Sequence, residues 1–166
     1  MGCDIHMYLE RKIDDGEWHI HPEHKKSGSD GYITDKPELT VTHRHYDLFA
    51  KLAGVRGHGP QPKGVPYDVS PEVEDVIEDY GIDGHSHSWI SIEEFEKVLN
   101  KLKFKHTDET TIIYNWDLFN INRFIPGYTP IVAFCKKERE ELQVDSILLD
   151  SKPINAQYRL VFFFDN

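Results

Sequence analysis

Residues 158–164 read Tyr158-Arg159-Leu160-Val161-Phe162-Phe163-Phe164, a run that is apolar on both faces when laid out as a strand. A strand with one wet face alternates apolar and polar residues; a continuous apolar run is shielded on both sides and belongs in the middle of a sheet. Near that centre belongs the segment Cys3 to Ile13, which alternates cleanly. Cys3, Ile5, Met7 and Leu9 fall on one face, and Asp4, His6, Tyr8 and Glu10 on the other. The pattern predicts a half-buried strand. Asp14-Asp15-Gly16 is a turn signal, and Glu17 to His21 follows as the hairpin partner.

Between these two strands the chain carries helix signals. Tyr46 to Ala53 has the spacing of a short helix burying Leu48, Phe49 and Leu52, with Gly54 as its stop. The Gly/Pro-rich stretch from Gly54 to Tyr67 reads as a long loop, of the kind that is either a linker or functional. Ser70-Pro71 opens a second helix with an N-cap hydroxyl and a proline at the first position, and Gly81 closes it. Ser91 and Glu94 have capping-box spacing at the start of a third. Thr129-Pro130 opens a fourth, expected to run to about Leu142. Pro22 to Asp30 reads as an exposed loop, Tyr32 to Thr34 and Leu39 to Thr42 as short strands, and Thr110 to Phe124 fits strand and helix equally. The expectation is one α+β domain over residues 1–166. It has a mainly antiparallel sheet with an N-terminal hairpin and a central C-terminal strand, and three to four helices packed on it.

Composition narrows the partners. The chain has 166 residues, 39% of them hydrophobic, which suffices for one core. Its net charge of −10 argues against a long nucleic acid or an anionic membrane surface, since both demand a basic face. One cleft can still be basic inside an acidic protein. Two cysteines, Cys3 and Cys135, without CxxC spacing, rule out a disulfide framework and a zinc ribbon. The N-terminus lacks the basic and apolar regions of a signal peptide, so a cytoplasmic location is expected.

Ten histidines raise the question of which of them cluster. His19, His21, His24, His58 and His106 read as solvated surface. Asp4 and His6 share a strand face, so a carboxylate and an imidazole can meet one ligand or metal there; the plain alternative is a self-satisfied buried pair. In Asp83-Gly84-His85-Ser86-His87-Ser88-Trp89 the two histidines flank one serine and, on an extended backbone, also share a face. Asp4, His6, His85 and His87 then make a four-ligand set for a divalent transition metal such as zinc or manganese. Without metal, His6, His85 and His87 are the proton-transfer residues expected to act on a phosphodiester. The plain alternative is a helix-entry loop pinned by polar hydrogen bonds. Arg44, Tyr46, Arg56 and Trp89 are the expected ligand-binding side chains, Arg for its planar fork toward phosphate; pairing with surface carboxylates is the ordinary fate of such arginines. Tyr114, Trp116 and Asp117 could line a pocket, although core packing is the commoner use of aromatics. Cys3 and His6 fall on opposite strand faces, which weakens a thiol–imidazole pair.

The blocks Met1-Gly2-Cys3-Asp4-Ile5-His6, Arg44 to Ala50, Leu52 to Arg56, Gly64 to Ser70, Asp83 to Trp89 and Phe164-Asp165-Asn166 together resemble a family of small bacteriophage and prophage proteins that open with the same hexapeptide. The family has Asn where this chain has His45, and a longer loop after Arg56. The resemblance implies a bacterial host cytoplasm and, from genomic company, action against host defence signals; it implies no mechanism. The leading expectation is a small hydrolase of a phosphate-containing, nucleotide-like molecule. The alternative is a non-catalytic protein that sequesters such a ligand or inhibits a host protein. Homo-oligomerisation is left open. The single tandem His85-Ser86-His87-Ser88 departs from two-motif phosphoesterases, which place separate His-x-Ser/Thr motifs on different strands.

Overall fold

The computed structural model describes residues 2–22, 40–41, 46–101, 119–120 and 131–166. Strand β6 (Ala156–Asp165) lies inside a four-stranded antiparallel sheet of order β2-β1-β6-β4, where β1 is Asp4–Ile13, β2 His19–Ile20 and β4 His85–Ser91. Ten cross-strand pairs join β1 to β6, from Asp4 opposite Asp165 to Ile13 opposite Ala156. The hairpin forms as the turn chemistry dictates, with Arg11 opposite His19 and Glu10 opposite Ile20. A separate two-stranded pair joins β3 (Thr40–Val41) to β5 (Phe119–Asn120).

The alternation of β1 and β6 sorts the core into two layers. Ile5, Met7 and Leu9 join Tyr158, Leu160, Phe162 and Phe164 on one face. Three helices supply the other half of that layer: α1 (Tyr46–Ala53), α3 (Ile92–Lys101) and α4 (Ile131–Leu148). Tyr8, Val161 and Phe163 point the other way and meet Val73 and Val76 of α2 (Pro71–Tyr80). Each of these side chains contributes roughly 1.5–3 kcal/mol on burial, which explains why β6, apolar on both sides, takes the interior position. The expectation of a half-buried β1 is corrected here. Because α2 covers its polar face, Tyr8 and Glu10 are as buried as the apolar side.

Caps form where the sequence placed them. Ser70 Oγ accepts from the Val73 N–H, Pro71 opens α2, and Gly81 ends it at φ 53°. Ser91 Oγ accepts from the Glu94 N–H at 3.2 Å. Helix α4 continues past the expected stop at Leu142 to Leu148, since neither Gly nor Pro interrupts it. The expected loops and strands at 23–39 and most of 110–124 lie outside the described residues.

The Gly/Pro stretch is packed against its neighbours. A Cβ on Gly59 would stand 1.6 Å from the Ala50 carbonyl oxygen, so only glycine lets the loop press on the end of α1. Further along, the Lys63 N–H donates to Ser88 Oγ and the Gly64 N–H to the His87 carbonyl, covering the open edge of β4. Among the described residues no helix is long and apolar enough to cross a membrane.

Candidate functional site

The chemistry gathers where β4 begins and β6 ends. His85 stands opposite Phe164, but Ser88 stands opposite Phe162, so β4 spends one residue more than β6 over the same span. This bulge is made at Ser86, whose φ is 53°. One extra residue reverses the side-chain alternation. The His85 ring lies beside Phe164 (centroids 6.1 Å apart) and the His87 ring beside Phe163 (5.3 Å). Phe163 and Phe164 are consecutive strand residues and belong to opposite faces. The expectation that His85 and His87 share a face is therefore corrected: the bulge sends them to opposite sides of the sheet.

On the Phe163 face, β1, α2 and β6 bring three polar side chains together. His6 stacks on Phe163, its partner in register, at 5.1 Å, and Tyr80 meets Phe163 edge-on at 4.8 Å. The Tyr80 hydroxyl is 3.2 Å from His6 Nδ1, and Asp165 Oδ2 is 3.3 Å from His6 Nε2. Asp4 is exposed at the strand end, opposite Asp165. His87 Nε2 is buried with no hydrogen-bond partner among the described residues. Burial, and then the charge of His85, hold the His87 pKa below its usual value, so its ring is neutral at pH 7.

On the Phe164 face a cleft of about 420 Å³ opens between the end of α1 and the bulge. Arg56, Gln61, His85, Ser86 and Asn166 supply its polar wall, and no lining residue has a carboxylate side chain. Arg56 has φ 57° and Ser86 φ 53°; neither residue type favours the left-handed region, so backbone strain concentrates on this cleft. Ser86 Oγ and His85 Nδ1 are 2.9 Å apart, while His85 Nε2 is buried without a partner among the described residues. Cys3 is buried close by. Burial pushes its thiol pKa up, and the neighbouring Arg56 only partly opposes this, which removes Cys3 as a nucleophile at neutral pH.

The other expected site residues fall elsewhere. Arg44 lies outside the described residues, as do His24, His106, Tyr114, Trp116 and Asp117. Tyr46 packs edge-on against Phe49 and is absent from the cleft wall. Trp89 sits on the α2 side of the sheet, with the Lys63 ammonium 4.3 Å from its ring centre. Asp4, His6, His85 and His87 are all described, and no group of three or more His, Cys, Asp or Glu side chains among the described residues is placed to hold a metal ion. The bulge accounts for His85 alone; Asp4, His6 and His87 do not form a set of three either.

His21, expected at the surface, is 2% exposed and paired with Glu138 of α4 at 2.6 Å. Arg11 and the Tyr158 hydroxyl also bind Glu138. Burial alone would raise the Glu138 pKa, but the hydrogen bonds and charges of His21 and Arg11 outweigh it and hold it at about 2. Nothing local to His21 announces this, because its partner is 117 residues away. Tyr80 and Asp165 also went unread: Tyr80 stands just before the Gly81 that closes the second helix, and Asp165 just past the strand read from Tyr158 to Phe164. Continuing the β6 alternation one residue past Phe164 would have placed Asp165 on the His6 side. No family model matches the chain, and neither do the curated proteins or the solved structures with which it was compared.

Proposed function

We propose that the Arg56–His85 cleft binds the phosphate of a small, nucleotide-like molecule and hydrolyses it. One observation carries this reading: a chain with 29 Asp and Glu residues keeps carboxylate side chains out of the wall of this cleft and places a guanidinium, an imidazole, a hydroxyl and two amides there. Such a set disfavours cations and offers several donors to a phosphate. Arg56 neutralises the oxygens through its planar fork. His85, with Nδ1 held by Ser86, keeps Nε2 buried, and Nε2 serves the attacking water or the leaving oxygen once its ring turns toward a ligand bound in the cleft. In the phage setting suggested by resemblance, the substrate would be a nucleotide signal of host defence.

A second reading, sequestration without cleavage, also has an observation in its favour. Acid–base hydrolysis ordinarily uses two proton-transfer groups, and of His6, His85 and His87 only His85 is on the cleft side. Incubation with a panel of linear and cyclic nucleotides separates the two. Product formation that disappears in His85→Gln supports hydrolysis; intact ligand recovered after denaturation supports sequestration; neither outcome, with no ligand bound, overturns the cleft assignment. Elemental analysis of untagged protein tests the metal-dependent form. One equivalent of zinc or manganese, lost in a folded His87→Ala variant, would restore it.

A further inference from the structure

Tyr80 is a second feature that the phosphate cleft leaves unused. Its hydroxyl is 3.2 Å from His6 Nδ1, and the opposite ring nitrogen, Nε2, is 3.3 Å from Asp165 Oδ2. A neutral imidazole carries one N–H and one bare nitrogen. The Asp165 contact is one of charge at ion-pair distance, without hydrogen-bond geometry, and its negative charge favours the proton on Nε2, which leaves Nδ1 as the acceptor for the Tyr80 O–H. Hydroxyl, imidazole and carboxylate thus stand in the order of a nucleophile, its base and the group that orients the base. The three come from β6, β1 and α2, and Phe163 fixes the geometry by packing against both the His6 ring (5.1 Å) and the Tyr80 ring (4.8 Å).

We propose that Tyr80 is an activated nucleophile, with His6 as its base and Asp165 as a positioning residue, and that it accepts an acyl group from an uncharged activated donor. The surroundings set the class of donor. Tyr80 sits against the rings of Phe163 and His6, and a charged donor would lose its hydration on entering that aromatic setting. An uncharged carbonyl compound meets no such barrier. In the step, the Tyr80 oxygen attacks the carbonyl carbon and His6 Nδ1 takes the phenol proton. The new carbon–oxygen bond replaces the bond to the leaving group, which departs with its electron pair and receives the proton from His6. An acyl-tyrosine results, and no oxidant or reductant enters.

The folded protein supplies its own reference, since Tyr67 is fully exposed. Treatment with N-acetylimidazole, an uncharged acyl donor that releases imidazole, followed by peptide mass spectrometry, gives the acetylation rate at both tyrosines. Tyr80 is expected to react about tenfold faster than Tyr67 despite its partial burial. Asp165→Asn, which keeps the shape, and His6→Phe, which keeps the packing on Phe163, are each expected to bring Tyr80 down to or below the Tyr67 rate. Unchanged far-ultraviolet circular dichroism checks the fold of both, and the Tyr67 rate serves as the internal control. A Tyr80 rate no greater than that of Tyr67 in the unmodified protein overturns the proposal. So does an advantage that survives in either variant.

Discussion

Glu10 and His6 are on the same face of β1, four residues apart and both beneath α2, yet they live in opposite circumstances. At the Glu10 end every charge is answered. Arg159, 3% exposed, gives its Nε to Glu10, its Nη1 to the Asp68 carboxylate at 2.7 Å and its Nη2 to the Asp68 carbonyl at 3.0 Å. The second Glu10 oxygen accepts the Ser70 N–H, and the guanidinium lies 4.1 Å from the Trp18 ring centre. At the His6 end a buried imidazole nitrogen, His87 Nε2, has no answer among the described residues, and an Asp165–His6–Tyr80 chain runs beside it. A closed network fixes one structure and leaves nothing to bind. An open one costs stability and retains reactivity. The Glu10 end holds the loop ahead of α2 in place; the His6 end leaves His87 Nε2 unanswered among the described residues.

The sharpest contrast should come from truncating the closed end. Arg159→Met leaves Glu10 charged and buried, which should destabilise the protein by about 3–5 kcal/mol in urea unfolding. Adding Glu10→Leu should restore much of this loss, because the uncompensated charge is then gone. A single variant that costs less than about 1 kcal/mol would show that the network is not closed in solution.

The other closed network, around Glu138, should respond to acid. Its folded pKa of about 2 is below the ordinary value of 4.5, so its contribution is complete above about pH 4.5 and is lost as pH falls toward 2. Glu138→Gln should remove about 1.5–3 kcal/mol at neutral pH and flatten the acid limb of a stability–pH curve. An acid limb identical to that of the unmodified protein would mean that other carboxylates dominate it.

At the cleft the expected effects are smaller and appear in binding. Arg56→Lys keeps the charge and loses the fork, and should weaken a nucleotide phosphate about tenfold by calorimetry, or about 1.4 kcal/mol. Equal affinity would remove Arg56 from the site. The smallest effect is expected at the open end. His87→Phe should be neutral or stabilising by about 1 kcal/mol, because an orphaned nitrogen is replaced by carbon. The lowered His87 pKa means the unfolded chain binds its proton first, so stability should fall as pH drops below about 6.5, and the Phe variant should lack that component. A clear loss of stability in the Phe variant would mean that Nε2 has a partner.

Much of the fold could be read from the chain because its signals are local. The Ser70-Pro71 cap, the Ser91 cap, the Asp14-Asp15-Gly16 turn and the alternation of Cys3 to Leu9 each act over a few residues, and each forms as read. The site was legible only in part. Arg56 and His85 come to one cleft, and His6 and His87 to one side of Phe163, but the four-ligand set with Asp4 does not assemble. Tyr80, Asp165, Arg159 and His21 acquired their meaning from partners distant in sequence.

The amino-acid order by itself determined that Phe162, Phe163 and Phe164 would form a central strand and that Gly54 would end a helix, since apolar periodicity and backbone preference are written residue by residue. Which face His85 takes is not written there. It depends on one extra residue at Ser86 in the hydrogen-bond register with Phe162 to Phe164 of β6, far along the sequence, and only the paired strands set that register.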